Sequence, residues 1–145
     1  MHDDPAMTLS PSLAAVLADA VLAVHVGIAV FVVGMTLALL VGGPLGWRWV
    51  RRRWLRWLHV ALVVVIAVQA WLGRLCPLTI WEQWLRTRAG QQTYDESFVA
   101  YWLSKVLFFE APWWSFVAAY SVLALVVAGA WILWPPRRHA SHQDR

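Results

Sequence analysis

Three long apolar runs decide what this chain can become. Ala20 to Leu40 contains no charged residue, Pro112 to Trp134 contains none, and Trp54 to Gly73 contains only Arg56. Runs of ~20 such residues match the ~30 Å hydrocarbon thickness of a bilayer. In that solvent each backbone polar group must be paired within its own segment, which favours helices. At 61% hydrophobic and 14% charged, the chain of 145 residues is far from the quarter charged expected of a soluble domain. Its 12 tryptophans suit a protein with two membrane boundaries to line. The expectation is one all-α membrane domain over residues 1–145, with spans at about 14–41, 54–73 and 112–134.

Punctuation along the chain supports these limits. Ser10 before Pro11 reads as an N-cap and first helical residue. The first helix should then run to about Leu40 and stop at Gly42-Gly43-Pro44. At ~45 Å it exceeds the membrane, so one end tilts or projects, and Asp19 assigns that role to the N-terminal end. The acidic start MHDDPAM and the length of this run argue against a cleavable signal peptide. The third span begins at Pro112 and stops at Pro135-Pro136.

Residues 43–57 form a basic hinge. Arg48, Arg51, Arg52, Arg53 and Arg56 are interleaved with Trp47, Trp49, Trp54 and Trp57. This pattern marks a cytoplasmic interface, with anionic lipid headgroups as a secondary use. Arg137 and Arg138 should share that side. Three crossings then place the N-terminus outside and the C-terminus in the cytoplasm. Basic residues beside spans are no footprint for nucleic acid.

The segment 74–111 is the expected outer cap. Thr79 and Glu82 stand at capping-box spacing after Pro77, and Glu82 and Arg86 at ion-pair spacing. Ile80, Trp81, Trp84 and Leu85 share one face, Glu82, Gln83 and Arg86 the other, and Gly90 suits a left-handed terminus. The helix should lie flat at the boundary. A second short helix from about Phe98 to Phe109, capped by Asp95 or Ser97, carries a polar stripe of Tyr101, Ser104 and Lys105. Reading it as a fourth span is the runner-up architecture; it would turn the C-terminal arginines outward.

Ionisable and polar groups at membrane depth are functional suspects. His25 and His59 suggest a haem held by two histidines, but the helix limits separate them by ~14 Å along the membrane normal. No cofactor and no metal are therefore expected, with haem b or quinone as the alternative. His59 should sit near Arg56, neutral and hydrogen-bonded. Asp19, His25, Gln69, Arg74, Cys76, Glu82, Arg86, Tyr101 and Lys105 form a candidate polar cluster beneath the cap. Its plainer use is an Asp19 pair with Arg74 or Lys105 that fastens the cap. Ala20, Ala23, Gly27, Gly34 and Ala38 form a small-residue seam, expected to serve internal helix packing, with a homodimer as the other use. The single cysteine, Cys76, excludes an internal disulfide and a CxxC site.

Cys76-Pro77-Leu78-Thr79, Glu82, Leu85-Arg86 and Ala89-Gly90, followed by Tyr94, Phe98 and Tyr101, resemble a family of small bacterial membrane proteins of unknown function with a CPLT-x-x-E-x-x-LR signature. The resemblance covers Ala14 to Trp134, and Asp19, His25 and His59 fall where that family's first two helices carry such residues. The family's Tyr-Pro turn is here Ala111-Pro112. The resemblance implies a helical membrane protein of this size and brings no activity. The reading is an accessory or scaffold protein with the bilayer, and a membrane-protein partner or a second copy, as its associates. The rival is a haem- or quinone-binding redox protein.

Overall fold

The computed structural model describes residues 9–107 and 112–135. Residues 1–8 and 108–111, Pro136 and the terminal arginines Arg137 and Arg138 lie outside the described residues, and with them the expected end of the second cap helix at Phe109. Five helices follow one another: α1 (Pro11–Gly42), α2 (Arg53–Trp71), α3 (Pro77–Arg88), α4 (Phe98–Leu107) and α5 (Trp113–Leu133), with no strand among the described residues. Of these, α1, α2 and α5 are long and apolar enough to cross a membrane. The described part of α4 is 10 residues, about 15 Å at the helical rise and too short to cross.

The chain folds as two units. The first holds residues 1–28 and 73–112, and the second residues 29–72 and 113–145, so α1 contributes to both.

In the first unit, Ser10 caps α1: its hydroxyl accepts from the Leu13 N–H at 3.3 Å. Ala14 and Ala18 are the buried positions of this half of α1. α2 ends before Pro77 is reached. Gly73, at φ +63°, stands just after the C-cap of α2, and Pro77 is the first residue of α3. Pro77 suits that place because a first-turn N–H has no intrahelical partner to lose. Thr79 consequently lies inside α3 and the expected capping box does not form. Cys76 is the N-cap and offers no side-chain bond. Gly90, at φ +69°, follows the end of α3 as expected. Ser97, rather than Asp95, caps α4, accepting from the Ala100 N–H at 3.3 Å.

In the second unit, α2 and α5 run antiparallel. The start of α2 meets the end of α5 through Arg56, whose guanidinium donates to the carbonyls of Ala130 and Trp134. The end of α2 meets the start of α5, where the Trp113 indole donates to the Ala70 carbonyl at 3.1 Å and Trp71 donates to Ser121 at 3.0 Å. The rest of the core is Met35 and Leu39 of α1 with Val50 of the connection, flanked by Phe31, Ala38 and Leu55. Outward-facing Val64, Val65, Val68, Val122, Leu125 and Ile132 are exposed apolar side chains, the surface a bilayer would solvate.

Of the small-residue seam of α1, Ala38 packs internally, against Met35, Leu39 and Val50, and the rest does not. Ala20, Ala23, Gly27 and Gly34 are exposed, and a Cβ added at Gly27 or Gly34 would meet nothing within 4 Å. α1 instead buries Val32, Met35, Thr36 and Leu39, a stripe at helical spacing. Gly43 does need its small size. A Cβ there would sit 2.6 Å from the Leu39 carbonyl oxygen and 2.7 Å from the Trp134 ring. Gly43→Val will lower the thermal midpoint in detergent by the equivalent of about 1–3 kcal/mol, the usual range for overpacking, whereas Gly34→Ala will leave it unchanged.

Candidate functional site

The polar face of α3 points inward. Thr79, Glu82 and Leu85 are buried, while Ile80, Trp81 and Trp84 are exposed. Thr79, Glu82, Gln83 and Arg86 follow i, i+3, i+4, i+7 spacing, one face of a helix. The amphipathic reading of α3 holds for Ile80, Trp81 and Trp84 on one face and Glu82, Gln83 and Arg86 on the other, but Leu85, expected with the tryptophans, is buried with Thr79 and Glu82. The polar side of α3, however, is packed against protein, and its tryptophans form the outer surface.

Glu82 is the centre of this face, at 1% exposure. Its Oε1 accepts from Arg86 Nε at 2.8 Å, across one helical turn. Its Oε2 accepts from the Tyr94 hydroxyl at 2.9 Å. Arg86 also donates to Gln91 at 2.8 Å and reaches Asp19 of α1 at 3.4 Å. Gln83 accepts from the Tyr94 backbone N–H at 3.0 Å. The Tyr94 ring stacks on Tyr101 with centroids 3.9 Å apart, and the Lys105 ammonium lies 4.9 Å from the Tyr101 ring centre. One line of contacts thus joins Asp19, Arg86, Glu82, Tyr94, Tyr101 and Lys105.

The structure assigns Asp19 a different partner from those expected. It pairs with Arg86, not with Arg74 or Lys105. Arg74 is exposed before α3, and Cys76 is half-buried as a free thiol. Gln69 belongs to α2 and to the second unit. His25 is in the first unit, its ring stacked on Phe98 at 4.2 Å and within electrostatic range of Glu82. Among the described residues of this unit, His25 Nδ1, Thr79 Oγ1 and Gln83 Nε2 are buried without a hydrogen-bond partner.

His59 is fully buried in the second unit. Its Nε2 lies 3.1 Å from both the Thr36 hydroxyl and the Val32 carbonyl. It is hydrogen-bonded, as expected, but to α1 and out of contact with water. Those partners stand seven and eleven residues further along α1 than His25.

Electrostatics follow from the same contacts. Burial alone would lower the basicity of the Arg86 guanidinium, but the hydrogen bond and charge of Glu82 and the charge of Asp19 raise it. Burial and the Glu82 carboxylate push the Tyr94 phenol well above its ordinary range. An acid held more protonated in the fold than in the unfolded chain stabilises below its unfolded pKa, about 10 for tyrosine. That contribution declines as pH rises from there towards the folded value. Wild-type protein will therefore lose thermal stability above pH ~10 more steeply than Tyr94→Phe, and the two curves will run parallel between pH 7 and 9. Parallel curves throughout would show that the phenol is not held by the carboxylate.

Tyr94, Thr79, Gln83 and Gln91 are absent from the sequence-derived cluster. Thr79 and Gln83 could have been found from the α3 stripe itself. Tyr94 and Gln91 lie beyond the helix, where no periodicity applies.

These elements define a small helical membrane protein with a buried carboxylate–guanidinium–phenol cluster. The chain belongs to the family described as Protein of Unknown function (DUF2784), which matches it over residues 15–136. No curated protein and no solved structure matches it.

Proposed function

We propose that this protein is an accessory or scaffold component of the bacterial inner membrane, with its N-terminus outside and its C-terminus in the cytoplasm. The observation that carries this reading is the closure of the Glu82 cluster. Both carboxylate oxygens are taken by Arg86 and Tyr94, and Arg86 continues to Asp19. A carboxylate so held ties α3 to Tyr94, orients Arg86 towards Asp19 of α1, and offers no open base. The placement of the termini rests on the basic hinge at 43–57 and on Arg137 and Arg138 sharing the cytoplasmic side.

Protein purified in mild detergent should be colourless and hold one defined partner subunit at fixed stoichiometry. Substituting Glu82 with alanine should release that partner. Wild-type protein recovered alone from native membranes, without a partner or a second copy, would overturn the proposal. An impermeant maleimide should reach Cys76 from the outer face of intact cells; labelling only in inverted vesicles would reverse the topology.

A second reading, a haem- or quinone-binding redox protein, has its own support. His25 Nδ1, Thr79 Oγ1 and Gln83 Nε2 are buried and unpaired, at a cost of about 1–3 kcal/mol each. A quinone carbonyl would accept hydrogen bonds from such groups. A haem held by His59 would have to use its Nδ1, because Nε2 is engaged. Stoichiometric quinone lost in Thr79→Val, or a Soret band lost in His25→Ala and His59→Ala, would replace the accessory reading with this one.

A further inference from the structure

The arginines between α1 and α2 have two different surroundings. Arg51 and Arg56 are directed at the end of α5, Arg51 donating to the Pro135 carbonyl and Arg56 to those of Ala130 and Trp134. They are not free for a headgroup, which corrects the expectation that all five serve the interface alike. The side chains of Arg48 and Arg52 make no hydrogen bond or ion pair among the described residues. With Trp47 and Trp49 they line an open groove of about 740 Å³.

This groove is held in shape by its own backbone and by the core. Val50, between the two arginines, is fully buried with Met35 and Leu39. The Trp47 N–H donates to the Gly42 carbonyl at 2.8 Å, and the Arg52 N–H to the Trp49 carbonyl at 3.1 Å. The Trp47 ring stacks on Trp49 with centroids 6.1 Å apart. It packs so closely on α1 that a Cβ at Gly42 would lie 2.5 Å from it. A site ordered before its ligand arrives loses less entropy on binding. The connection joins two helices long enough to span, so it lies at a membrane boundary, where tryptophan is favoured. Guanidinium groups match phosphate oxygens with paired hydrogen bonds.

We propose that the groove binds the phosphate of an anionic phospholipid, with Arg48 and Arg52 on the phosphate and the Trp47–Trp49 pair against the glycerol region. The aromatic half of the lining favours a lipid over free phosphate, because only the lipid brings apolar surface to it. This proposal concerns the second unit and is independent of the accessory reading.

Native mass spectrometry of the full chain in neutral detergent, titrated with phosphatidylglycerol, tests it. Arg48→Ala and Arg52→Ala should each weaken lipid binding about fivefold, while Arg53→Ala, outside the groove, should change it by less than about twofold. The double variant Arg48→Lys, Arg52→Lys keeps the charge and should still weaken binding several-fold, because the paired geometry is lost. Unchanged helical circular dichroism confirms that each variant folds. Wild-type affinity in the lysine double variant, or an equal loss in Arg53→Ala, would reduce the effect to diffuse attraction and overturn the site. Equal binding of inorganic phosphate, or its displacement of the lipid at matched concentration, would overturn the lipid assignment.

Discussion

Alanine at Glu82 will release α3 from α1 and destabilise the first unit by about 3–5 kcal/mol, the usual cost of removing one partner from a buried ion pair. Glu82 is 1% exposed and holds Arg86 and Tyr94 at once. Its loss leaves the guanidinium without its nearest countercharge and the phenol without an acceptor. Hydrogen exchange over residues 77–107 should accelerate, and trypsin should cut at Arg86 and Arg88 in folded protein. Glu82→Gln keeps the shape and one acceptor, so it should lose less. Arg86→Ala in the Glu82→Ala background should add little, because the two act as one unit. Unchanged exchange in Glu82→Ala would show that α3 is held by its apolar contacts alone.

Arg56→Ala will detach the end of α5 from the start of α2. Arg56 is buried, donates to the carbonyls of Ala130 and Trp134, and lies 4.9 Å from the Trp131 ring centre. The Trp134 carbonyl lies past the last helical donor, while the Ala130 carbonyl also accepts from the Trp134 N–H; a cation there satisfies the first and suits the helix dipole at both. Two charge-assisted bonds, at about 1.5–3 kcal/mol each, place the expected loss near 3 kcal/mol or above. Equilibrium unfolding in detergent measures it. Arg56→Lys should recover part of the loss, since one ammonium cannot reproduce the fork. Arg53→Ala, on an exposed position of the same turn, should cost under about 0.5 kcal/mol. Equal losses at Arg53 and Arg56 would show that net charge, rather than the contact with α5, sets stability.

The same two residues show where sequence reading reached and where it stopped. The Glu82–Arg86 pair was legible because four residues of helix bring the side chains together whatever surrounds them. The Asp19 partner was not, because Arg74, Lys105 and Arg86 all lie within reach of a helix whose rotation is unknown. Arg56 looked like one more basic residue at an interface. Its sequence neighbours carry no sign of α5, whose last turn lies more than seventy residues away in the chain. The small-residue seam, apart from Ala38, failed as an internal contact for a related reason. A stripe reports what could pack closely, not what does, and α1 turned Val32, Met35, Thr36 and Leu39 inward instead.

Run length and hydropathy alone were enough for three spanning helices and for the short cap between the second and third. Oil excludes unpaired backbone, so each span is a local decision, and proline, glycine and serine mark its ends. Which polar side chains meet was settled only when helices from distant parts of the chain came together. Glu82 gained Tyr94, Asp19 gained Arg86, and Arg56 gained the carbonyls of α5; burial made a partner valuable to Glu82 and Arg56, and packing chose which groups came within reach.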